Sequence, residues 1–296
     1  MTIQFRNIHK TYADGKTALT KINLTLEENR IYGLLGRNGA GKTTLMHLLT
    51  AQLLPTSGSI EINGQSPFEN DALQQQICFV KESQPQPFKK NFRIRELLKL
   101  ASLFYPTWDH DLAMEMLAEF ELDPSKKMSS LSRGMESAVG IIIGLAARAP
   151  ITVYDEPYLG LDAVSRKIFY DRLLQDFIDH PRTIIMSTHL IDEVSKLFEH
   201  VIMIHQGQII LDEEVDAILA RAYTLEGNTD SINTLADDAR IVHIETFGRS
   251  AYASWFGEMN EEDRDQLASL GIEISDMPLQ QLLVQLTRDA KKEVRL

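Results

Sequence analysis

Short apolar runs alternate with amphipathic segments through the first two thirds of the chain. Four runs have the length of buried strands, and they are 31–35, 77–80, 151–154 and 183–186. Four segments repeat apolar residues every three or four positions, which predicts helices at 95–104, 112–120, 137–147 and 164–177. Strands that alternate with helices predict an α/β fold with a mostly parallel sheet.

The first sixty residues carry a different pattern. Apolar and polar residues alternate on both sides of a glycine-containing turn at 13–16, which predicts an antiparallel strand pair. A helix is predicted from Gly41 to about Thr56, followed by a short strand at 59–62. An antiparallel N-terminal layer should therefore lie beside the parallel sheet.

The remaining segments divide the chain into two domains. A helical subdomain is predicted at about 82–147, and a closing hairpin at 201–204 and 208–211. Beyond it, strands are predicted at 222–225, 241–245, 251–257 and 272–275, and helices at 231–237, 261–270 and 279–287. We therefore expect a first domain at 1–215 and a small α+β domain at 216–296.

Composition limits the setting in which the chain can work. It has 296 residues, of which 44% are hydrophobic and 24% charged, as in an ordinary globular protein. The single cysteine, Cys78, excludes a disulfide framework and a cysteine-based zinc site. The start of the chain lacks the pattern of a signal peptide, and the longest apolar run, 138–147, is too short to cross a bilayer. A cytoplasmic location is expected.

Negative charge is concentrated in the second domain. From Leu211 onward the chain carries 18 acidic and 8 basic side chains, which is −10 of the total −12. Binding to a phosphate backbone requires a basic face, so we expect no nucleic-acid partner for this region. A solvated acidic surface that keeps the domain soluble is the simpler interpretation.

One glycine-rich loop carries the strongest chemical signal. It follows the predicted strand at 31–35, begins the next helix, and consists of Gly36, Arg37, Asn38, Gly39, Ala40, Gly41, Lys42, Thr43 and Thr44. This spacing is that of a P-loop, in which backbone N–H groups and the helix N-terminus surround a polyphosphate. Lys42 is predicted to bind the β- and γ-phosphates of a nucleotide, and Thr43 to bind Mg²⁺.

Further polar residues follow the predicted strands. Asp155 ends the strand at 151–154 and is a candidate Mg²⁺ ligand opposite Thr43. The adjacent Glu156 could accept a proton from an attacking water, and His189 follows the strand at 183–186. By itself the Asp155-Glu156 strand end is equally compatible with a surface role, and His189 taken alone favours a structural role.

Two additional motifs complete a resemblance to a known family. Residues 131–135 (Leu-Ser-Arg-Gly-Met) precede a predicted helix, and residues 160–162 (Gly-Leu-Asp) follow Glu156. In this order and spacing, residues 1 to about 215 resemble the nucleotide-binding subunits of ABC transporters. The resemblance implies a P-loop NTPase core of the ABC type.

The resemblance also implies roles for individual residues. Glu156, His189 and Lys42 would be catalytic, and Tyr12 would stack on the adenine of ATP. Ser132 and Gly134 of the signature motif, with Asp162 of the D-loop, would contact nucleotide across a head-to-tail dimer. ATP and Mg²⁺ are the expected ligands.

The sequence departs from the family pattern at several positions, including Thr152 and Tyr154, which make the strand at 151–154 less apolar than is usual. Glu82 stands where the Q-loop glutamine is usual, although Gln84 is close enough to take that role. A carboxylate at Glu82 could bind Mg²⁺ together with Thr43 and Asp155, but it would repel the γ-phosphate. Arg133 and Met135 replace the commoner signature residues, whereas the phosphate-facing Ser132 and Gly134 remain.

These observations predict an ATP hydrolase that powers transport through separate integral-membrane permease subunits, together with a second ATP-binding subunit. The single nucleotide domain followed by a small acidic domain resembles peripheral subunits of bacterial exporters, held on the inner face of the membrane through the permease. The alternative is a soluble ABC ATPase that acts on nucleic acid or ribosomes. One P-loop, the absence of long heptads and the single cysteine disfavour that alternative. The C-terminal domain is interpreted as a dimer-stabilising or solubilising module, with a ligand sensor as the alternative.

Overall fold

The computed structural model describes residues 1–81 and 91–288. They divide into two compact units, one comprising Met1–His189 and Leu197–Asp212, the other Leu190–Lys196 and the chain from Glu213 onward. Glu82 and Gln84, the two candidates for the Q-loop role, lie outside the described residues.

The first unit contains two sheets. Its strands are β1 (Ile3–Thr11), β2 (Thr17–Leu26), β3 (Ile31–Leu35), β4 (Ser57–Ile62), β5 (Ile77–Lys81), β6 (Ile151–Asp155), β7 (Thr183–Ser187), β8 (His200–His205) and β9 (Gln208–Glu214). An antiparallel sheet has the order β2-β1-β4, and a six-stranded sheet has the order β5-β6-β7-β3-β8-β9. Parallel pairing runs from β5 through β6, β7 and β3 to β8. The predicted α/β fold with an antiparallel N-terminal layer is confirmed.

Helices connect these strands. They are α1 (Lys42–Leu49), α2 (Asp71–Gln74), α3 (Ile94–Phe104), α4 (His110–Glu119), α5 (Arg133–Ala146), α6 (Ala163–Asp179) and α7 (Ile191–Val194). No helix in the described part of the chain combines the length and the apolar character that a bilayer crossing requires.

The central strands are buried because helices or the second sheet cover their faces. Every residue of β3, β6 and β7 is buried, which explains their unbroken apolar runs. The core between the two sheets and α1 includes Phe5, Leu24, Leu45 and Ile60. This core holds α1 and the loop before it in a defined position.

Three predicted helices have a wrong boundary. One of them, expected at 231–237, spans Thr229–Asn233, because residues 234–237 form turns. The helix expected to run to about Thr56 ends at Leu49, because Ala51 adopts φ 54 and a left-handed residue stops the helical hydrogen-bond pattern. The helix expected from Ser137 begins at Arg133, because the Ser132 side chain accepts a hydrogen bond from the Met135 N–H and caps the helix.

The second unit has its own sheet and core. Its elements beyond β9 are α8 (Val215–Leu219), β10 (Ala222–Asn228), α9 (Thr229–Asn233), β11 (Ile241–Phe247), β12 (Ser250–Phe256), α10 (Glu261–Ser269), β13 (Glu273–Asp276) and α11 (Leu279–Arg288). The sheet order is β11-β12-β10-β13, with antiparallel pairing throughout. Leu225, Ile232, Trp255 and Leu267 belong to its buried cluster.

Candidate nucleotide-binding and hydrolysis site

The loop between β3 and α1 requires glycine at two points. A Cβ on Gly36, whose φ is 150, would lie 2.3 Å from the Ile204 carbonyl oxygen. A Cβ on Gly41, whose φ is 118, would lie 2.8 Å from the Ala18 carbonyl oxygen. The loop therefore packs directly on the backbone of β8 and β2, and only glycine fits both positions.

Lys42, the first residue of α1, folds back over this loop. Its Nζ donates hydrogen bonds to the carbonyl oxygens of Gly36 at 2.7 Å and Arg37 at 3.4 Å. The side chain is buried, and burial lowers the pKa of the Lys42 ammonium, although the nearby Glu156 and Asp155 act in the opposite direction. Nζ lies 4.0 Å from Glu156 Oε1. Lys42 therefore places a cation at the loop, where it can bind a polyphosphate.

Thr43 and Asp155 meet beside the loop. Thr43 Oγ1 donates a hydrogen bond of 2.9 Å to Asp155 Oδ2, and the Asp155 residue is 5% exposed. Ser187 Oγ donates to the other carboxylate oxygen at 2.7 Å. The register of β6 and β7 places Asp155 beside Ser187, because both strands end at the same edge of the sheet. The sequence analysis did not identify Ser187. The available signal was its position at the end of a strand.

This pair of oxygen atoms suits a magnesium ion. Mg²⁺ in nucleotide sites is usually held by one or two protein oxygens and by substrate phosphates. No group of three or more His, Cys, Asp or Glu side chains within residues 1–81 and 91–288 forms a metal cage. Thr43 and Asp155 therefore suit a Mg²⁺ ion that is also coordinated by a phosphate of the substrate.

Glu156 has an unusual backbone conformation. Its φ of 49 lies in the left-handed region, and its N–H donates to Ser187 Oγ at 3.0 Å. Carboxylate oxygen Oε2 lies 3.1 Å from Nδ1 of His189. A strained non-glycine residue at a candidate site is a recognised mark of function, since the surrounding structure must offset its energetic cost.

Tyr158 is a further residue of the site that sequence reasoning missed. Its side chain is buried, and its hydroxyl accepts hydrogen bonds from the His189 N–H at 2.8 Å and from Thr188 Oγ1 at 3.0 Å. The same hydroxyl lies 3.1 Å from His189 Nδ1. Nothing in the sequence identifies Tyr158, because its partners lie about thirty residues farther along the chain.

An open cavity of about 440 Å³ lies over the loop. Its lining is mostly polar and comprises Tyr12, Lys16, Ala18, Asn38, Gly39, Gly41, Lys42, Thr43, Thr44, His47 and Glu156. The Tyr12 hydroxyl lies 3.0 Å from Thr44 Oγ1, and part of the ring is exposed. A larger cavity of about 510 Å³ near Arg148 and Arg182 contains none of the predicted site residues.

The signature and D-loop residues do not line the nucleotide cavity. Ser132 is exposed at the start of α5, and Gly134 lies in the first turn of that helix. Asp162 caps α6 by accepting a hydrogen bond from the Ser165 N–H at 2.7 Å, which lowers the pKa of its carboxyl group. The structure thus gathers the P-loop, Asp155, Glu156 and His189 in one place and leaves these three residues outside it.

Comparison with known proteins agrees with this geometry. Residues 19–159 match the family model described as ABC transporter. The chain is 28% identical over 195 residues to the ABC transporter ATP-binding protein YtrB of Bacillus subtilis, covering 66% of each protein. It is 29% identical over 216 residues to the lantibiotic transport ATP-binding protein SrtF of Streptococcus pyogenes, covering 72% of this chain and 91% of SrtF.

Coverage of other relatives is much smaller. The chain spans 15% and 9% of the retinal-specific phospholipid-transporting ATPases of Mus musculus and Bos taurus. Among solved structures, an ATP-binding subunit of an ABC transporter superposes with a TM-score of 0.65 at 22% identity, covering 73% of this chain and 91% of that one. At this identity the structural likeness concerns the fold.

Proposed function

This chain carries an ATP-binding domain of the ABC transporter family, and on that premise we propose that it is the ATPase subunit of a transporter with separate membrane-spanning subunits. The observation that carries the proposal is the set of contacts between the P-loop and the strand ends. Thr43 of the loop donates to Asp155, and Lys42 of the loop lies 4.0 Å from Glu156, which in turn lies 3.1 Å from His189. Nucleotide binding, metal binding and proton transfer each have a candidate group in this one place.

Each group has a definite task in ATP hydrolysis. The loop N–H groups and Lys42 bind the phosphates of ATP. Thr43 and Asp155 would hold Mg²⁺, which when bound neutralises charge on the phosphate oxygens. Glu156 accepts a proton from the attacking water, and His189 lies beside that carboxylate, with Nδ1 3.1 Å from Oε2. Tyr12 stacks on adenine at the rim of the cavity.

The signature residues imply that the working unit is a dimer. Ser132 and Gly134 do not line the cavity over the P-loop of their own subunit, which is compatible with their contacting nucleotide held by a second subunit. We propose a head-to-tail dimer in which Ser132, Gly134 and Asp162 act on ATP held by the partner. ATP would close this dimer and hydrolysis would open it.

The helical subdomain offers a surface for a permease. Leu100, Leu103 and Phe104 of α3 and Met114 of α4 are exposed, and Leu103 and Phe104 are 75% and 67% exposed. Leu100, Leu103 and Phe104 share one face of α3 through their i, i+3 and i+4 spacing, and exposed apolar patches mark sites of interaction with other proteins. We place the contact with integral-membrane subunits here, which would hold the chain at the cytoplasmic face of the membrane.

Export is the direction of transport that we propose. It is supported by the layout of one nucleotide domain followed by a small acidic domain, and by similarity to a protein named for lantibiotic transport. The alternative, a soluble ATPase acting on nucleic acid or ribosomes, has less support because the chain is acidic, with a net charge of −12.

Purification of the tagged chain from native membranes in mild detergent tests this function. We expect membrane-spanning subunits to co-purify and the complex to hydrolyse ATP, with Lys42→Ala as the inactive control. Leu103→Glu and Phe104→Glu should release the permease without lowering ATP binding by the chain. Co-purification with ribosomes or nucleic acid, without membrane subunits, would favour the alternative.

A further inference from the structure

We propose that Tyr158 is a positioning residue for His189, and that its hydroxyl selects the tautomer in which the ring proton is on Nε2. This inference rests on the hydrolytic role proposed above for His189 and Glu156. Its starting point is that one buried hydroxyl contacts both the backbone and the ring of the same histidine, at 2.8 Å and 3.1 Å.

The hydrogen-bonding capacity of the hydroxyl sets the direction of its proton. A phenol has one proton to donate and two lone pairs to accept with. The backbone N–H of His189 can only donate, and Thr188 Oγ1 donates as well. Because the Tyr158 hydroxyl oxygen accepts both of these hydrogen bonds, its own proton can be donated to Nδ1 of His189. Nδ1 is then an acceptor, and the ring carries its proton on Nε2.

Glu156 competes for the same nitrogen. Its Oε2 lies 3.1 Å from His189 Nδ1, the same distance that separates Nδ1 from the Tyr158 hydroxyl. A neutral imidazole cannot donate from Nδ1 to Glu156 while it accepts at Nδ1 from Tyr158. The Tyr158 bond therefore frees the Glu156 carboxylate from the histidine, so that the carboxylate can accept a proton from water.

The same hydrogen bond also determines the protonation of Nε2, on the other side of the His189 ring. The His189 side chain is 47% exposed, so Nε2 can reach a bound ligand, and in the selected tautomer it has a proton to donate. The Tyr158 ring also packs edge-on against the imidazole, with centroids 5.5 Å apart. Phenylalanine would keep that packing and lose only the hydroxyl, which separates positioning from packing.

The experiment measures the tautomer directly. ¹⁵N-histidine is incorporated into the full chain, and the His189 ring signals are identified by their loss in His189→Ala. We expect the Nε2–H pattern in the nucleotide-free wild type and a shift toward the Nδ1–H pattern in Tyr158→Phe, because Glu156 is then the one hydrogen-bonding group that contacts Nδ1 among the described residues. In ATPase assays, kcat should fall by about tenfold and KM should not change. Loss of a group that orients a histidine typically lowers activity by about 10- to 100-fold, and we expect the lower value.

Tyr154→Phe is the matched control. Tyr154 is also fully buried, and its hydroxyl has no hydrogen-bond partner among the described residues. This variant should leave both the His189 signals and kcat unchanged. If Tyr158→Phe and Tyr154→Phe behave alike in both measurements, the positioning role is overturned.

The measurements distinguish a failure of the proposed ATPase function from a failure of the inference about Tyr158. A wild-type chain that does not hydrolyse ATP would overturn the proposed function, while the ring signals would still decide what Tyr158 does. A wild-type chain that hydrolyses ATP, with identical His189 signals in wild type and Tyr158→Phe, would overturn only the inference about Tyr158. Thermal unfolding of each variant checks that a fall in kcat does not come from loss of folded protein.

Discussion

Gly134 lies so close to Gly160 that a Cβ on Gly134 would be 2.3 Å from the Gly160 carbonyl oxygen. Close to this contact, Ser137 Oγ donates a hydrogen bond of 2.7 Å to the Leu159 carbonyl oxygen. The start of α5 is therefore packed against the loop that follows Glu156. This contact connects the signature motif, which would serve the partner's nucleotide, to the catalytic loop of the same subunit.

Gly134→Ala should disturb that connection. A Cβ at 2.3 Å from a backbone oxygen cannot be accommodated unless α5 or the loop moves. We expect the free energy of unfolding to fall by about 1–3 kcal/mol, as for other overpacked sites. ATP hydrolysis should fall at least about tenfold, since a displacement of 1 Å can cost about a hundredfold. Urea unfolding and a steady-state ATPase assay measure the two effects.

Gly140→Ala provides the matched control in the same helix. Its Cβ would lie 3.3 Å from Val80 Cγ1, which belongs to a side chain. Both stability and hydrolysis should stay close to the wild-type values. If the two alanine variants lost activity equally, the effect would come from α5 as a whole and the specific contact would be dismissed.

Glu156→Gln should abolish hydrolysis and retain ATP binding. The amide keeps the shape of the side chain but cannot accept a proton, and general-base groups contribute about 10²- to 10⁴-fold to rate. We expect a fall of at least about a hundredfold in kcat, and an ATP-bound dimer that persists in size-exclusion chromatography. Turnover close to that of the wild type would remove Glu156 from the proton-transfer step.

Lys42→Ala should weaken binding of the nucleotide itself. The substitution removes the buried cation whose Nζ lies 2.7 Å from the Gly36 carbonyl oxygen, and with it a charge-assisted contact to phosphate. We expect the Kd for ATP to rise by at least about tenfold, which corresponds to about 1.4 kcal/mol. Isothermal titration with ATP provides the measurement, and equal affinities would contradict the role of Lys42.

A mixed dimer tests whether Ser132 acts on the nucleotide of the partner. One subunit carries Lys42→Ala and the other Ser132→Arg, so both changes fall on the same composite site and the other site remains intact. Hydrolysis near half of the wild-type rate is expected. Each homodimer, which has two damaged sites, should be inactive and serves as the control. A mixed dimer without activity would contradict independent head-to-tail sites.

Arg240 should stabilise the second unit in a manner that depends on pH. Its guanidinium forms ion pairs with Asp238 and Asp263, both at 2.8 Å, and lies 3.9 Å from the centroid of the Trp255 ring. Hydrogen bonds from Arg240 lower the pKa of both carboxyl groups. Arg240→Gln should therefore reduce the free energy of unfolding at neutral pH by about 1 kcal/mol.

The sign of the pH effect follows from those pKa shifts. A carboxylate with a lowered pKa in the folded state contributes stability above its unfolded pKa, about 3.9 for aspartate, and loses it as pH falls through the folded pKa. The difference between wild type and Arg240→Gln should therefore persist from pH 7 to about 4 and shrink below it. Arg264→Gln is the control, because Arg264 forms no ion pair within the described chain. A difference independent of pH down to 2.5 would contradict the ion pairs.

Local sequence signals predicted most of the first unit. The runs at 31–35, 151–154 and 183–186 are strands, because a continuous apolar run of four or five residues suits a strand covered on both faces. Two of the wrong helix boundaries depend on Ala51 and Ser132. No sequence pattern marks an alanine that adopts a positive φ. Ser132 was interpreted as a phosphate-binding residue of the signature motif, and its role as a helix cap was not considered.

The sequence by itself determined the P-loop and the strand ends that carry Asp155 and His189, because glycine spacing and apolar run length act within a few residues. Only the tertiary structure decided which of these groups meet. Parallel register brings Asp155 beside Ser187. Tertiary packing brings Tyr158 and His189, which follow β6 and β7, into contact, and it brings Gly134 of α5 against Gly160. Such contacts join residues 26 to 32 positions apart, and their distances depend on the packing of the whole core, which no local pattern records.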